Sequence, residues 1–250
     1  MASNEGQQDP PPRISGLEYD VPDPSFVLRG RRDLGLAGRG GPVASALQSS
    51  LERMSATGPT AETAYQDALD ALRAQPPAEV RQMVTEVGRE LPEEAYLERW
   101  SLVQLMADVN HADLLEFFED VIRTPIPPER SSEADYKSTT RGREVIIRTT
   151  AVDGLERLAA EGSSRAVDVL LDHVAHDNST VRTACIVALQ ELGGDAAERV
   201  RERVADEDRD LLEIRRVSVY DVPQPESGTY VRNPGVRDET PPEPPSGRRA

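Results

Sequence analysis

Between residues 59 and 216, apolar side chains recur at the three-and-four spacing of helices that bury one face. Ala64, Ala68, Leu69 and Leu72 form one such stripe, and Val80, Met83, Val84 and Val87 form the next. Pro76-Pro77 stands between them as a break and a helix start. Leu102 and Leu105 are followed by Leu114, Phe117, Phe118, Val121 and Ile122. Leu155 and Leu158 precede Ala166, Val167, Leu170, Leu171 and Val174, a helix expected over 164–176. The last pair is 181–192, then a break at Gly193-Gly194, then 196–205 capped by Asp195 and carrying Ala197, Val200 and Val204. Each pair reads as a helical hairpin, about four in all.

The pairs repeat one another. Ile147-Arg148-Thr149-Thr150-Ala151 through Leu155 and Leu158 aligns with Val181-Arg182-Thr183-Ala184-Cys185 through Leu189 and Leu192 at a constant offset of 34. Leu102 and Leu105 match Leu155 and Leu158 at an offset of 53. The difference of 19 residues predicts a loop insertion, and Thr124 to Gly142 has the length and composition for it. The run Asp177-Asn178-Ser179-Thr180-Val181-Arg182-Thr183-Ala184, with Ala188-Leu189-Gln190-Glu191-Leu192-Gly193, resembles a HEAT-like repeat of the phycobilisome-lyase type. The resemblance covers about 70 residues well and about 155 loosely, and implies an all-α, right-handed α-solenoid rather than an activity.

The ends follow another pattern. Residues 1–58 are rich in Pro and Gly and predict a mostly disordered arm, with one short helix over 43–54 on Ala46, Leu47 and Leu51. Residues 217–250 read as a Pro-rich tail. Tyr19-Asp20-Val21-Pro22-Asp23-Pro24 recurs as Tyr220-Asp221-Val222-Pro223-Gln224-Pro225, the form of a short linear motif.

Charge changes the picture of partners. The 250 residues carry a net −16, and 59–216 hold 33 acids against 19 basic residues. Such acidity argues against nucleic acid or an anionic membrane as partner. No apolar run approaches the roughly 20 residues of a membrane helix, and the start lacks a secretory layout. A cytoplasmic protein is expected, and Cys185 as the single cysteine fits a reducing compartment.

Candidate chemistry is sparse. His173 and His176, flanked by Asp172 and Asp177, share a helix, but a zinc site needs a third ligand and His111 sits in another hairpin. Cys185 occupies a small, buried repeat position, where a thiol is inert. Trp100 shares a helix with Val103 and Ala107, so it reads as core rather than as a base-stacking residue. No catalytic residue, metal or cofactor is therefore expected.

A solenoid offers a groove lined by one helix of each pair. The groove helices are expected at 79–90, 112–123, 164–176 and 196–205, with Glu86, Glu116, Glu119, Asp120, Asp168, Asp172, Glu198 and Glu202 facing solvent. That acidic surface predicts a binding scaffold or adaptor for a basic protein partner. The resemblance suggests instead a lyase or chaperone for a tetrapyrrole or other cofactor, and the motifs Tyr19-Asp20-Val21-Pro22 and Tyr220-Asp221-Val222-Pro223 suggest a subunit of a larger assembly. Arg29, Arg31, Arg32 and Arg39 form a basic arm able to bind an anion or fold back on the acidic face.

Overall fold

In a computed structural model the described residues are 27–28, 34, 36, 38–130 and 139–216. Contacts divide the chain into two compact units, 1–213 and 214–250, and of the second only Ile214–Arg216 are described. The first unit is helical. Its helices are α1 (Pro42–Met54), α2 (Ala61–Arg73), α3 (Pro77–Glu90), α4 (Tyr96–Val109), α5 (Leu115–Arg123), α6 (Thr140–Ala160), α7 (Ser164–Asp172), α8 (Ser179–Leu192) and α9 (Gly194–Arg203). A 3₁₀ turn, Ala112–Leu114, precedes α5, and a 3₁₀ segment, Asp206–Glu213, follows α9. Two short strands, β1 (Val27–Leu28) and β2 (Ala56–Thr57), pair antiparallel with Val27 opposite Thr57. Among the described residues no helix is long and apolar enough to cross a membrane.

Local chemistry sets the helix ends. Asn178 Oδ1 accepts from the backbone N–H groups of Thr180 and Val181 at 3.0 and 3.2 Å and starts α8. Ser163 Oγ does the same for Ala166 at α7, and Thr139 Oγ1 for Gly142 at α6. Asn110 closes α4 in the left-handed region at φ 52°. Gly193 and Gly194, at φ 69° and 51°, separate α8 from α9.

The helices pack in two rows. α4 lies against α6, and α6 against α8. In the other row α5 covers α6, α7 bridges α6 and α8, and α9 packs on α8 and α7. Ala151 and Cys185, equivalent across the 34-residue repeat, are both fully buried, as are Leu155 and Leu189. The paired arginines also act alike. Arg148 donates to the carbonyls of Thr124 and Pro125 in the chain preceding α6. Arg182 donates to the His176 carbonyl preceding α8 at 2.9 Å. The β-branched-Arg pair therefore fastens each long helix to the connection before it.

Several expected boundaries shift. Helix α1 belongs to the body: Val43, Ala44, Leu47 and Leu51 are buried, and α1 packs chiefly on α2 and also on α4 and α3. The first hairpin is therefore α1 with α2, because α2 spends its apolar stripe on α1 rather than on α3. The insertion ends at Thr139, since Thr139 caps a helix whose first residue is Thr140. Helix α7 stops at Asp172 and α9 spans Gly194–Arg203, Gly193 rather than Asp195 standing at its N-cap. Trp100 is half-buried against the core.

Candidate binding cleft

A cleft of about 500 Å³ opens where α3, α4, α5 and α6 meet. Its floor is apolar. Leu102 and Val103 enter from α4, Phe117 and Val121 from α5, and Ile147 from α6. Phe117 meets Phe118 edge to face at 5.6 Å between ring centroids, which holds the ring at the floor. Gly88 of α3 has no side chain, and that widens the opening: a Cβ there would reach Leu102 only at 3.7 Å.

The rim is cationic, in contrast to the chain as a whole. Arg89, Arg99, Arg123 and Arg148 line the cleft, with Asp120 as the one carboxylate among the lining residues. Their states differ. Arg148 is 1% exposed and uses all five N–H donors: Nη1 on the Glu144 carboxylate (2.6 Å) and carbonyl (2.8 Å), Nε and Nη2 on the Thr124 carbonyl, and Nη2 on that of Pro125. It is a fastener. Arg99 shares the buried Glu144 carboxylate and also donates to the Glu93 carbonyl at 3.1 Å, so its guanidinium is held at the rim and stays partly open to solvent. Burial pushes the Glu144 carboxyl up, but the hydrogen bonds and charges of Arg99 and Arg148 outweigh it, and the net effect holds it below the usual carboxylate range. Arg123 pairs with Glu119 at 2.5 Å. Arg89 is exposed and meets no partner among the described residues.

A second recess, of about 340 Å³, lies among α2, α4 and α6. Here Tyr65 donates to Asp108 Oδ2 at 2.7 Å, Arg157 to Asp108 Oδ1 at 2.7 Å and to the Ala107 carbonyl, and Arg73 to the carbonyls of Asp108 and Val109. Burial, with the Asp108 contact, raises the Tyr65 phenol and keeps it a proton donor. The group ties α2 and α6 to the carbonyl end of α4, where cations are favoured.

The expected acidic groove is dispersed and largely neutralised. Glu86 pairs with Arg39, Glu116 with Arg81, Asp168 with Arg199 and Asp172 with Arg203. Glu119, expected in solvent, is 6% exposed because Arg123 and Arg165 both turn to it. Asp120 joins the cleft, while Glu198 and Glu202 stand exposed on α9. Of the basic arm, Arg39 reaches Glu86 and Glu90 of α3 at 3.1 and 2.5 Å. Arg29, Arg31 and Arg32, and both Tyr-Asp-Val-Pro motifs, lie outside the described residues.

The remaining candidates have local roles. His176 Nδ1 accepts from the Asn178 backbone N–H at 3.0 Å. The His173 ring lies 5.9 Å from that of His176, and burial with His176 and Arg123 nearby lowers its pKa. No cluster of three or more metal-ligating side chains occurs among the described residues. Cys185 is buried and its thiol is pushed up to about 12. The cleft went unread in the sequence because its arginines come from four helices at no common spacing. The one signal was the repeated arginine at 148 and 182. Comparison with protein-family models, curated proteins and solved structures finds no match.

Proposed function

We propose that this chain is a non-catalytic protein-binding module, a scaffold or adaptor built as an α-solenoid of HEAT-like hairpins. The equivalent fastening roles of Arg148 and Arg182, and the two helix rows, support the solenoid reading. The cleft carries the functional one. It is concave, apolar at its floor, and edged by guanidiniums, Arg99 and Arg123 held by carboxylates and Arg89 exposed, the features by which a groove recognises an extended segment of another protein. A carboxylate-bearing apolar segment suits it better than the basic partner that net charge suggests, because most of the expected acidic positions already face arginines.

A photo-crosslinking residue at Thr85, on the cleft wall, tests this against one at Gln66, in the recess among α2, α4 and α6. Thr85 should yield protein adducts in a native lysate that Arg89→Glu abolishes. Equal adducts from Gln66, or adducts indifferent to Arg89→Glu, would refute a partner site at the cleft.

A further inference from the structure

The Tyr-Asp-Val-Pro sequence occurs at 19–22 and again at 220–223, and the helical body accounts for neither. Each copy sets a ring, a carboxylate, a β-branched side chain and a proline in a row. The cleft presents the complementary set: an apolar floor around Phe117, and a cationic edge at Arg89 and Arg99. We infer that the cleft is the receptor for the Tyr19–Pro22 segment of a second copy of this chain, so that the protein assembles head to tail. The inference rests on the reading of the cleft as a protein-binding surface.

Charge is the first argument. The walls and the side chains paired to them hold four guanidiniums (Arg89, Arg99, Arg123, Arg148) against three carboxylates (Glu119, Asp120, Glu144). In a chain of net −16 this is a local excess of positive charge, and an acidic segment of the same chain is attracted there instead of repelled. The second argument is conformational. Val21 precedes a proline and is biased to extended geometry, so less chain entropy is lost when the segment is laid into a groove.

Topology argues for a second copy. Val27, five residues after Pro22, pairs with Thr57 of β2, between α1 and α2. Neither helix contributes a residue to the cleft. A segment of one copy seated in the cleft of another makes a heterologous contact, which propagates with concentration rather than closing at once.

The test uses the full chain and a fluorescein-labelled peptide with the sequence of residues 17–26. Anisotropy should show saturable binding. Asp20→Lys in the peptide, or Arg89→Glu in the protein, should weaken it about tenfold or more, the loss expected when a charge-assisted contact is removed or reversed. Arg89 is exposed, so an unchanged melting temperature will show that the variant folds. By light scattering the mass of the unmodified chain should rise with concentration. It should fall to that of the monomer with excess peptide or in the variant Tyr19→Ala/Asp20→Lys/Tyr220→Ala/Asp221→Lys. Equal or tighter binding of the Asp20→Lys peptide, indifference to Arg89→Glu, or a monomer at every concentration would each overturn the inference. Cleft crosslinks from Thr85 to other proteins, without peptide binding, would overturn it and leave the binding-module reading standing.

Discussion

Two glycines inside helices should respond to alanine with opposite signs. A helical glycine ordinarily costs about 1 kcal/mol relative to alanine, so each replacement starts with that gain. At Gly154 of α6 a Cβ would fall 2.6, 2.7 and 2.9 Å from Cζ, Cε1 and Cε2 of Phe118. All three atoms belong to the ring tip, and Phe118 is fully buried and held edge-on by Phe117. The ring cannot retreat without disturbing the α5–α6 contact, and overpacking of this kind costs about 1–3 kcal/mol. The net expectation for Gly154→Ala is a loss of about 1 kcal/mol. At Gly88 of α3 the nearest atoms to a new Cβ are at 3.7 and 3.9 Å, ordinary contact, so Gly88→Ala should gain about 0.5–1 kcal/mol. Urea unfolding followed by circular dichroism reads both, as shifts of midpoint at constant slope. Phe118→Leu, though destabilising alone, should cost less in the Gly154→Ala background than in the original one. Stabilisation by Gly154→Ala, or equal effects at the two glycines, would refute this account of α5–α6 packing.

Glu144→Ala strands Arg148 in the interior and should cost about 3–5 kcal/mol in the same assay, more than Glu144→Leu/Arg148→Met, which removes both charges. Because the folded Glu144 pKa is depressed, its contribution is fully present above the ordinary value of 4.5 and is lost as pH falls through the lower folded value. Urea midpoints between pH 6 and 3 should therefore fall more steeply for the original chain than for Glu144→Gln. Leu189→Ala should cost about 2–5 kcal/mol at its fully buried site, whereas Glu202→Ala on the exposed side of α9 should stay within about 0.5 kcal/mol by thermal unfolding. Cys185 should resist thiol-reactive reagents at pH 8 until urea unfolds the chain, because burial raises its pKa to about 12; rapid native labelling counted by mass spectrometry would contradict that.

Helix positions were legible because the three-and-four stripes at 64–72 and 80–87 each bury one face, while 181–192 is apolar enough to be buried all round at Cys185–Leu189, a pattern set by local geometry. Pairing was less legible. The Leu47 and Leu51 stripe looks weak alone, yet both side chains are fully buried once α2 covers them. Periodicity states that a face is apolar without stating what covers it. Charge misled in the same way. Glu119 and Asp120 are adjacent in sequence, but one is buried under two arginines and the other stands at the cleft. A residue count weighs them equally, and only the fold shows where the arginines come from.

Those arginines have a geometric logic of their own. Arg199 reaches Asp168 and Arg203 reaches Asp172, both across 31 residues and both between α7 and α9. The two rungs are four residues apart on each helix, so they stack along one seam. Each pair is exposed, and such pairs are worth only about 0–1 kcal/mol. Their summed stability is therefore small, but a one-residue slip of α9 along α7 would break both at once and set like charges side by side, so the seam favours one register. Arg81 on Glu116 and Arg165 on Glu119 make comparable links from α3 and α7 to α5. Helices α3 and α5, linked by Arg81 on Glu116, open into the cleft beside Phe117, where Arg99 is held by Glu144 and Arg89 is exposed. An acidic chain can present a cationic binding edge because many of its carboxylates are paired across helices, while Glu144 holds Arg99 at the rim and Arg89 stands exposed there.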